Sequence, residues 1–140
     1  MQIFEADESI RDYLNAFYTE QGYHSDWSNI ERAFVATDNN NIVGGVKVES
    51  SNGVSILRGM YISSNFQGNK LGTQLIKYIE PILNETISYC MPFAHLERFY
   101  AQIGFNKINL NLYPEYLFQR YIGYENRGYK IIPMMRVIAT

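Results

Sequence analysis

Apolar and polar positions in the first forty residues indicate an extended start followed by helices. Residues 1–6 predict an edge strand, and a helix is predicted over about residues 9–20. The apolar positions of that helix recur every three or four residues, at Ile10, Tyr13, Leu14 and Phe17. Ser28 and Glu31 have the spacing of a capping box, which predicts a second, short helix before the chain becomes extended.

The middle of the chain has the pattern of strands and then of one amphipathic helix. Three runs rich in Val, Ile and aromatic residues, at 33–37, 42–49 and 54–62, are separated by turn-forming residues. These runs predict a three-stranded antiparallel meander. After them the apolar positions fall on one helical face, at Leu71, Leu75, Ile76, Ile79, Ile82 and Leu83.

The last third of the chain alternates between short elements. Its pattern predicts a strand at 87–91, a helix at 95–103 capped by Gly104, an extended segment at 105–112 and a final strand at 129–138. Residues 113–121 fit either a helix or irregular structure. This order of elements predicts one domain over residues 1–140, of the α+β, three-layer class, with a mixed sheet and helices on both faces.

Composition and charge exclude several classes of protein. The chain has 140 residues, 46% of them apolar, which is enough for a core without disulfides or metals. The net charge of −2 argues against a nucleic-acid partner. Cys90 is the single cysteine, and His24 and His95 lack metal-ligand spacing, so no metal is expected. With no apolar run near the roughly 20 residues that cross a bilayer and no signal pattern, we expect a cytoplasmic protein without a membrane partner.

The segment from residue 56 to residue 73 is the part of the sequence that points most directly to chemistry. A strand runs into a loop with Gly68 and Gly72, and the loop opens directly into the amphipathic helix. The first N–H groups of a helix have no internal partner and carry a partial positive charge, so this geometry is typical of a phosphate site. Lys70 and Thr73 offer a charge and a hydroxyl group to the same ligand. The loop lacks both the P-loop pattern and the dinucleotide pattern Gly-x-Gly-x-x-Gly.

Two segments together resemble the GNAT N-acetyltransferase superfamily. They are residues 57–72, and residues 97–105 with the sequence Glu-Arg-Phe-Tyr-Ala-Gln-Ile-Gly-Phe. Gln67 and Gly72 match the first and last positions of the family's phosphate loop, whereas Lys70 stands where the family has its middle glycine. The resemblance implies a mixed, mostly antiparallel sheet of six to seven strands.

The resemblance also implies a function and a set of site residues. It implies an acetyl-CoA-dependent N-acetyltransferase that transfers an acetyl group directly to a primary amine of a small molecule or peptide. The acetyl-CoA pyrophosphate is expected on the loop residues Gln67, Gly68, Asn69, Lys70, Leu71, Gly72 and Thr73. Backbone groups of Met60, Tyr61 and Ile62 are expected to engage the acetyl carbonyl and the pantetheine arm. Tyr100 matches the family tyrosine that protonates the CoA thiolate.

Several points stay open at the level of sequence. Some family members have a glutamate base where this chain has Ile56, so the proton acceptor is Glu49, Asp26, His24 or water. The length of the acyl chain is open as well. An alternative function is a CoA-binding regulatory module with the same fold and weak or no turnover, an interpretation that rests on Lys70 and on Ile56.

The charge distribution adds an expectation about the acceptor. Residues 1–40 carry eight acidic and two basic side chains, while residues 41–140 carry six acidic and ten basic ones. Because the family's N-terminal helices form much of the acceptor side, a negative mouth is expected to favour cationic amines. Tyr23 is a candidate lining residue of that pocket, and residues 113–124 are expected either to close over the substrate or to form a homodimer contact.

Overall fold

A seven-stranded sheet runs through the protein, and the computed structural model describes residues 1–138 of it. In spatial order the strands are β1, β2, β3, β4, β5, β7 and β6. Their bounds are Gln2–Glu5 (β1), Glu31–Asp38 (β2), Asn41–Ser51 (β3), Val54–Ile62 (β4), Ser88–Cys90 (β5), Asn106–Lys107 (β6) and Met134–Arg136 (β7). The four α-helices are Arg11–Glu20 (α1), Leu71–Ile79 (α2), Glu97–Ala101 (α3) and Glu115–Asn126 (α4).

The pairing of the strands confirms the mixed, mostly antiparallel sheet. Strands β1 to β4 pair in antiparallel order, β4 and β5 are parallel, and β5 and β6 each pair antiparallel with β7. The antiparallel meander predicted at residues 33–62 is therefore present; its first two strands extend slightly beyond the predicted runs, and the third has the predicted bounds.

Helices cover both faces of the sheet, as predicted. On one face, α2 and α3 pack on alternate residues of the central strands, and the shared core includes Phe34, Val46, Leu57, Leu75, Ile76 and Tyr100. On the other face, α1 buries Leu14, Phe17 and Tyr18 against β2. There, α4 buries Leu117 and Tyr121 against Ile56 of β4 and Tyr89 of β5. Adjacent residues of β4 thus face different helices, which matters for the site.

The predicted second helix after Ser28 is wrong. The expected hydrogen bond of the pattern does form, since Ser28 N–H donates to Glu31 Oε1 at 2.9 Å. It closes a turn, and the chain continues from Glu31 into β2. The next residues, Ala33 to Val35, are fully buried between the helical layers, so strand packing decides the outcome.

The C-terminal third also departs from the predicted strands. The segment predicted as extended at 105–112 contains only the two-residue β6 and a 3₁₀ turn, and the final strand shortens to β7. The ambiguous residues 113–121 belong mostly to α4. Within residues 1–138, no helix is both long enough and apolar enough to cross a membrane.

Candidate active site

A gap opens between β4 and β5 in the middle of the sheet. The two strands pair only at Ser55 with Ser88 and at Ile56 with Tyr89. Beyond those pairs β5 ends at Cys90, and the following Pro92 has no N–H group with which to continue the ladder. The gap forms a cavity of about 570 Å³ that extends through the layers of the molecule.

An irregularity in β4 shapes one side of this cavity. The register of β3 and β4 shifts between the pairs Gly45–Tyr61 and Lys47–Arg58, so that β4 carries one extra residue. Gly59 lies in this bulge with φ of +66°, and its carbonyl accepts a hydrogen bond from the Tyr18 hydroxyl at 2.8 Å. A Cβ atom on Gly59 would lie 3.1 Å from Lys47 Cε, so both the conformation and the close packing favour glycine.

The bulge brings the predicted residues Met60 and Tyr61 to the wall of the cavity, where Tyr100 also lies. Tyr100 is 7% exposed and packs edge to face against Phe99 and Phe105. Its hydroxyl makes no hydrogen bond to another group within residues 1–138. Burial, and then the nearby Cys90 and Tyr61, raise the pKa of Tyr100 well above its ordinary value. The phenol is therefore a proton donor at neutral and moderately alkaline pH.

Cys90 lines the same cavity and is 2% exposed. Burial raises the pKa of its thiol well above the usual range. A thiol of this kind is a small apolar wall residue, since the thiolate is the reactive form. This agrees with its position in an apolar strand of the sequence.

The predicted phosphate loop lies between the end of β4 and the start of α2. Gln67 ties the loop to the strand, because its Nε2 donates to the Ile62 carbonyl at 3.0 Å. Gly68 and Lys70 both have left-handed backbone, with φ of +83° and +63°. Lys70 therefore adopts a conformation that glycine favours, at the position where the family has a glycine.

The backbone N–H groups of residues 68–73 point to an anion site. Within residues 1–138 none of these six groups donates a hydrogen bond that closes a turn or a helical ring. Leu71 is buried against Ala36 and Val43 and fixes the start of the helix. A Cβ on Gly72 would lie 3.4 Å from the Phe99 ring. The loop thus offers free donors next to the helix that carries Tyr100, which suits the phosphates of acetyl-CoA.

The loop and the cavity are separate parts of the site. Met60, Tyr61 and Tyr100 line the cavity, whereas Ile62 and the residues from Gln67 to Thr73 do not. This separation suits a long ligand whose phosphates lie on the loop and whose reactive end reaches the gap.

A network of charged side chains lies under the opposite wall of the cavity. Both oxygens of the Glu49 carboxylate accept from Arg120, at 3.0 and 3.1 Å, and one of them also accepts from Arg58 at 3.2 Å. Arg58 further donates to the hydroxyl groups of Tyr23 and Ser25, at distances from 3.1 to 3.2 Å. Arg58, Arg120, Tyr23 and Ser25 line the cavity, and Glu49 lies behind them.

The sequence predictions named Tyr23 and the segment that contains Arg120, but not Arg58. A signal for Arg58 was present in the spacing of the strands. Lys47 and Glu49 lie two residues apart and so share one face of β3, and Arg58 is the charged residue of the strand that follows. Three charges on adjacent strands of an otherwise apolar meander are typical of a polar cluster on one face.

The three side-chain candidates for the general base lie in different surroundings. Burial alone would raise the pKa of Glu49, but the hydrogen bonds and charges of Arg120 and Arg58 outweigh it and lower that pKa. Glu49 is therefore a weak proton acceptor. Asp26 is exposed and does not line the cavity, whereas His24 is exposed and does line it.

The acidic residues of the N-terminal forty residues do not form the wall of the cavity. Within residues 1–138 the lining contains no aspartate or glutamate, and its charged members are arginines. The acids at Asp7, Glu8, Asp12 and Glu20 are exposed on the surface around α1. The charge that motivated a cationic acceptor thus lies outside the cavity itself.

Comparisons with known proteins agree with this geometry. The sequence matches the family described as "Acetyltransferase (GNAT) domain" over residues 29–107, which is more than half of the chain. No curated protein sequence matches the chain.

Solved structures show the same fold at low sequence identity. N-acetylglutamate synthase from Neisseria gonorrhoeae, complexed with coenzyme A and N-acetyl-glutamate, has a TM-score of 0.72 and 15% identity, over 99% of this chain and 35% of that one. The chain thus spans about a third of the synthase's length. A GNAT-family acetyltransferase from Streptococcus pneumoniae has a TM-score of 0.72 and 14% identity, over 99% of each chain. An aminoglycoside 6'-N-acetyltransferase complexed with coenzyme A has a TM-score of 0.67 and 17% identity, over 100% of this chain and 98% of that one.

Proposed function

The chain belongs to the GNAT acetyltransferase family, and on that premise we propose that it transfers an acetyl group from acetyl-CoA directly to a primary amine within a ternary complex. One observation carries the proposal: the buried Tyr100 hydroxyl lies at a gap between two parallel strands that a thioester can enter. The free N–H groups of residues 68–73 support it, because they suit the phosphates of the same donor molecule.

The acetyl donor would lie with its phosphates on the loop and its thioester in the gap. The ammonium group of Lys70 would add a charge-assisted contact to a phosphate oxygen. Backbone N–H groups of Met60 and Ile62, which alternate along β4 with the Tyr61 N–H that faces β3, would stabilise the negative charge that develops on the thioester carbonyl oxygen. Both sets of donors are fixed before the ligand arrives, so little free energy is spent on ordering them.

The transfer itself needs one nucleophile and one acid. The nitrogen of a neutral amine attacks the thioester carbonyl carbon, the C–N bond forms, and the C–S bond breaks as the tetrahedral intermediate collapses. The thiolate takes the Tyr100 hydroxyl proton, the amine loses its extra proton to water, and solvent returns a proton to Tyr100.

Burial affects the proton affinities of both the acid and the leaving group. Burial raises the pKa of Tyr100, which keeps its proton in place until the thiolate forms. The same surroundings would raise the pKa of the leaving thiol, as they do for Cys90. The acid and the thiolate that it protonates would thus both hold a proton more tightly in this cavity than in water.

The rival function, a CoA-binding module without turnover, draws on Lys70 in place of a glycine. The left-handed backbone at Lys70 argues against that reading, since the side chain has not changed the turn that glycine would make. An acyl group longer than acetyl is a second variant of the proposal, and competition by longer acyl-CoAs tests it.

A direct assay separates the two functions. The protein is incubated with acetyl-CoA and a panel of primary amines, thiol release is followed, and calorimetry measures CoA binding. We expect CoA to bind and at least one amine to raise thiol release above the rate of acetyl-CoA hydrolysis. CoA binding without amine-dependent release would establish the module, and no binding at millimolar CoA would overturn both functions.

A further inference from the structure

Among residues 1–138, arginine side chains and no carboxylates face the cavity on the side away from Tyr100. Leu57 points into the core that contains Tyr100, so the next residue along β4, Arg58, faces the opposite side of the sheet. Arg120 comes from α4 and Arg127 from the turn that follows it, and both line the cavity on that side with Arg58. The wall is therefore assembled from two elements and from the loop that contains Tyr23.

The charges in and behind this wall do not cancel. Glu49 is one carboxylate between two guanidinium groups, those of Arg58 and Arg120. Glu31 lies deeper, with its carboxylate 3.5 Å from Lys47 Nζ and 3.6 Å from Arg58 Nε. Two carboxylates, Glu31 and Glu49, therefore face three cations, Lys47, Arg58 and Arg120. The charge of Asp26 partly offsets the lowering of the Lys47 pKa by burial, but Asp26 does not line the cavity. Arg127 makes no ion pair within residues 1–138, so the wall keeps an excess of positive charge.

The arginines also keep unused hydrogen-bond donors. A guanidinium group has five N–H donors. Arg120 gives two of them to Glu49, which leaves three for a ligand. Glu49 is 2% exposed and holds the Arg120 plane by a two-bond contact, so the remaining donors are oriented before a ligand arrives.

Phosphates of CoA are a poor match for this wall. The free N–H groups of residues 68–73 are at the start of α2, on the other face of the sheet. At about 3.3 Å per strand residue, Arg58 lies roughly 16 Å along β4 from Ser63, the first residue after the strand. A donor molecule with its phosphates on the loop and its thioester at Tyr100 would leave these arginines for the acceptor.

We infer that the acceptor of this enzyme is a small amine that carries an anionic group, and that Arg120 and Arg127 bind this anion while the amine faces the gap between β4 and β5. The inference rests on the proposed function, which supplies the amine. Carboxylate and phosphate groups share the chemistry that a guanidinium fork recognises. The cavity of about 570 Å³ also has to hold the thioester end of the donor, which favours a small acceptor.

The test compares pairs of amines that differ only in the anionic group. We propose β-alanine with β-alaninamide for the carboxylate, phosphoethanolamine with ethanolamine for the phosphate, and putrescine as the cationic acceptor. Values of kcat/KM are expressed per neutral amine, because the substituents change the pKa of the nitrogen. We expect at least one anionic member to be preferred on the order of 10- to 100-fold. Equal or better use of the neutral partners or putrescine would overturn the inference.

Variants of the wall arginines test whether these side chains cause the preference for an anionic acceptor. Arg127→Gln removes a charge that has no ion pair within residues 1–138, so the fold should tolerate it, and we expect the preference to fall about tenfold. Arg120→Gln should reduce it further, and Arg120→Lys should restore part of it. Lys107→Gln removes an exposed charge from β6 and should leave it unchanged.

Calorimetry with CoA separates the remaining outcomes. CoA affinity should be the same in all four variants. If the arginine variants lose CoA affinity and keep the acceptor preference, the arginines bind the donor, and the inference is overturned. If no amine is turned over, the proposed function fails, and binding of the same pairs to the CoA-saturated protein still tests the anion site. The anion site is supported if the anionic member binds and Arg127→Gln weakens this binding. If the anionic member does not bind, the inference is overturned.

Discussion

The donor and acceptor ends of the proposed site are built in different ways. The donor end is mostly backbone: six N–H groups at residues 68–73 and the bulge around Gly59, joined by one side-chain group, the Tyr100 hydroxyl. The acceptor end is made of long side chains, and Arg58, Arg120 and Arg127 come from separate parts of the chain. Backbone donors depend on the fold, whereas a single substitution can remove a side-chain donor, so the acceptor end is the easier of the two to change.

The same difference gives the two ends different energetics. The donor end needs left-handed backbone at Gly68 and Lys70, and the cost there is conformational. The acceptor end places Glu49 and part of two arginines out of water, and that cost is recovered only while the ion pairs are complete. Changes at the two ends should therefore affect different measurements.

Glu49→Gln should have the largest effect, and it should disrupt the acceptor end without disrupting the donor end. It removes the carboxylate that holds Arg58 and Arg120, leaving two partly buried cations without their shared partner. We expect the free energy of unfolding in urea to fall by about 3 kcal/mol and the acceptor KM to rise. Glu125→Gln, an exposed acid on α4, is the control. An equal loss of CoA affinity would contradict the separation of the two ends.

Tyr100→Phe should come next and should affect chemistry without binding. The phenyl ring keeps the edge-to-face packing with Phe99 and Phe105, and only the hydroxyl group is lost. We expect kcat to fall about 100-fold, with the Kd for CoA and the stability nearly unchanged. Tyr78→Phe on the exposed face of α2 should have no effect. An unchanged kcat would remove Tyr100 as the acid.

Gly72→Ala should weaken the donor end by a smaller amount. The added Cβ makes an ordinary contact with Phe99 at 3.4 Å, so the fold should accept it, but the methyl group lies beside the free N–H groups. We expect the Kd for CoA to rise about tenfold with an unchanged acceptor preference. Gly123→Ala adds a methyl group to α4 in open space and serves as the control. Equal Kd values for the two variants would contradict a phosphate site at Gly72.

Lys70→Gly should have the smallest effect, and it separates the contribution of the Lys70 side chain to the donor end from that of the backbone. Glycine relieves the left-handed backbone, so we expect the free energy of unfolding to rise by up to about 1 kcal/mol. Lys77→Gly, in the last turn of α2, should lower it by up to about the same amount. The Kd for CoA should rise severalfold if the Lys70 ammonium contacts a phosphate, and an unchanged Kd would assign the site to the backbone alone.

Sequence patterns predicted the donor end because its signals are local. The pattern of Gly68 and Gly72 before an amphipathic helix occupies a few consecutive residues, and the helix begins at Leu71 as the spacing predicts. Apart from the helix wrongly predicted after Ser28, the order of strands and helices was likewise predictable from apolar periodicity. Whether Met60, Tyr61 and Tyr100 act on the thioester stays a prediction, although all three line the cavity.

The acceptor end could not be predicted in the same way, because its residues meet only in the folded chain. Arg58 and Arg120 are separated by most of the C-terminal half and are joined through Glu49 of another strand. The Ser28–Glu31 pattern failed for a related reason, since a local hydrogen bond formed but the packing of Ala33 to Val35 made the segment a strand. The ambiguity at residues 113–121 arose because α4 has apolar residues on several faces, and tertiary contacts decide its conformation.

A crystal structure of the protein with acetyl-CoA would test the division between donor and acceptor ends most directly. We expect the pyrophosphate on the N–H groups of residues 68–73, the thioester sulfur within hydrogen-bond reach of the Tyr100 hydroxyl, and no atom of acetyl-CoA on Arg120 or Arg127. Phosphates bound to those arginines, or a thioester outside the gap between β4 and β5, would contradict this division.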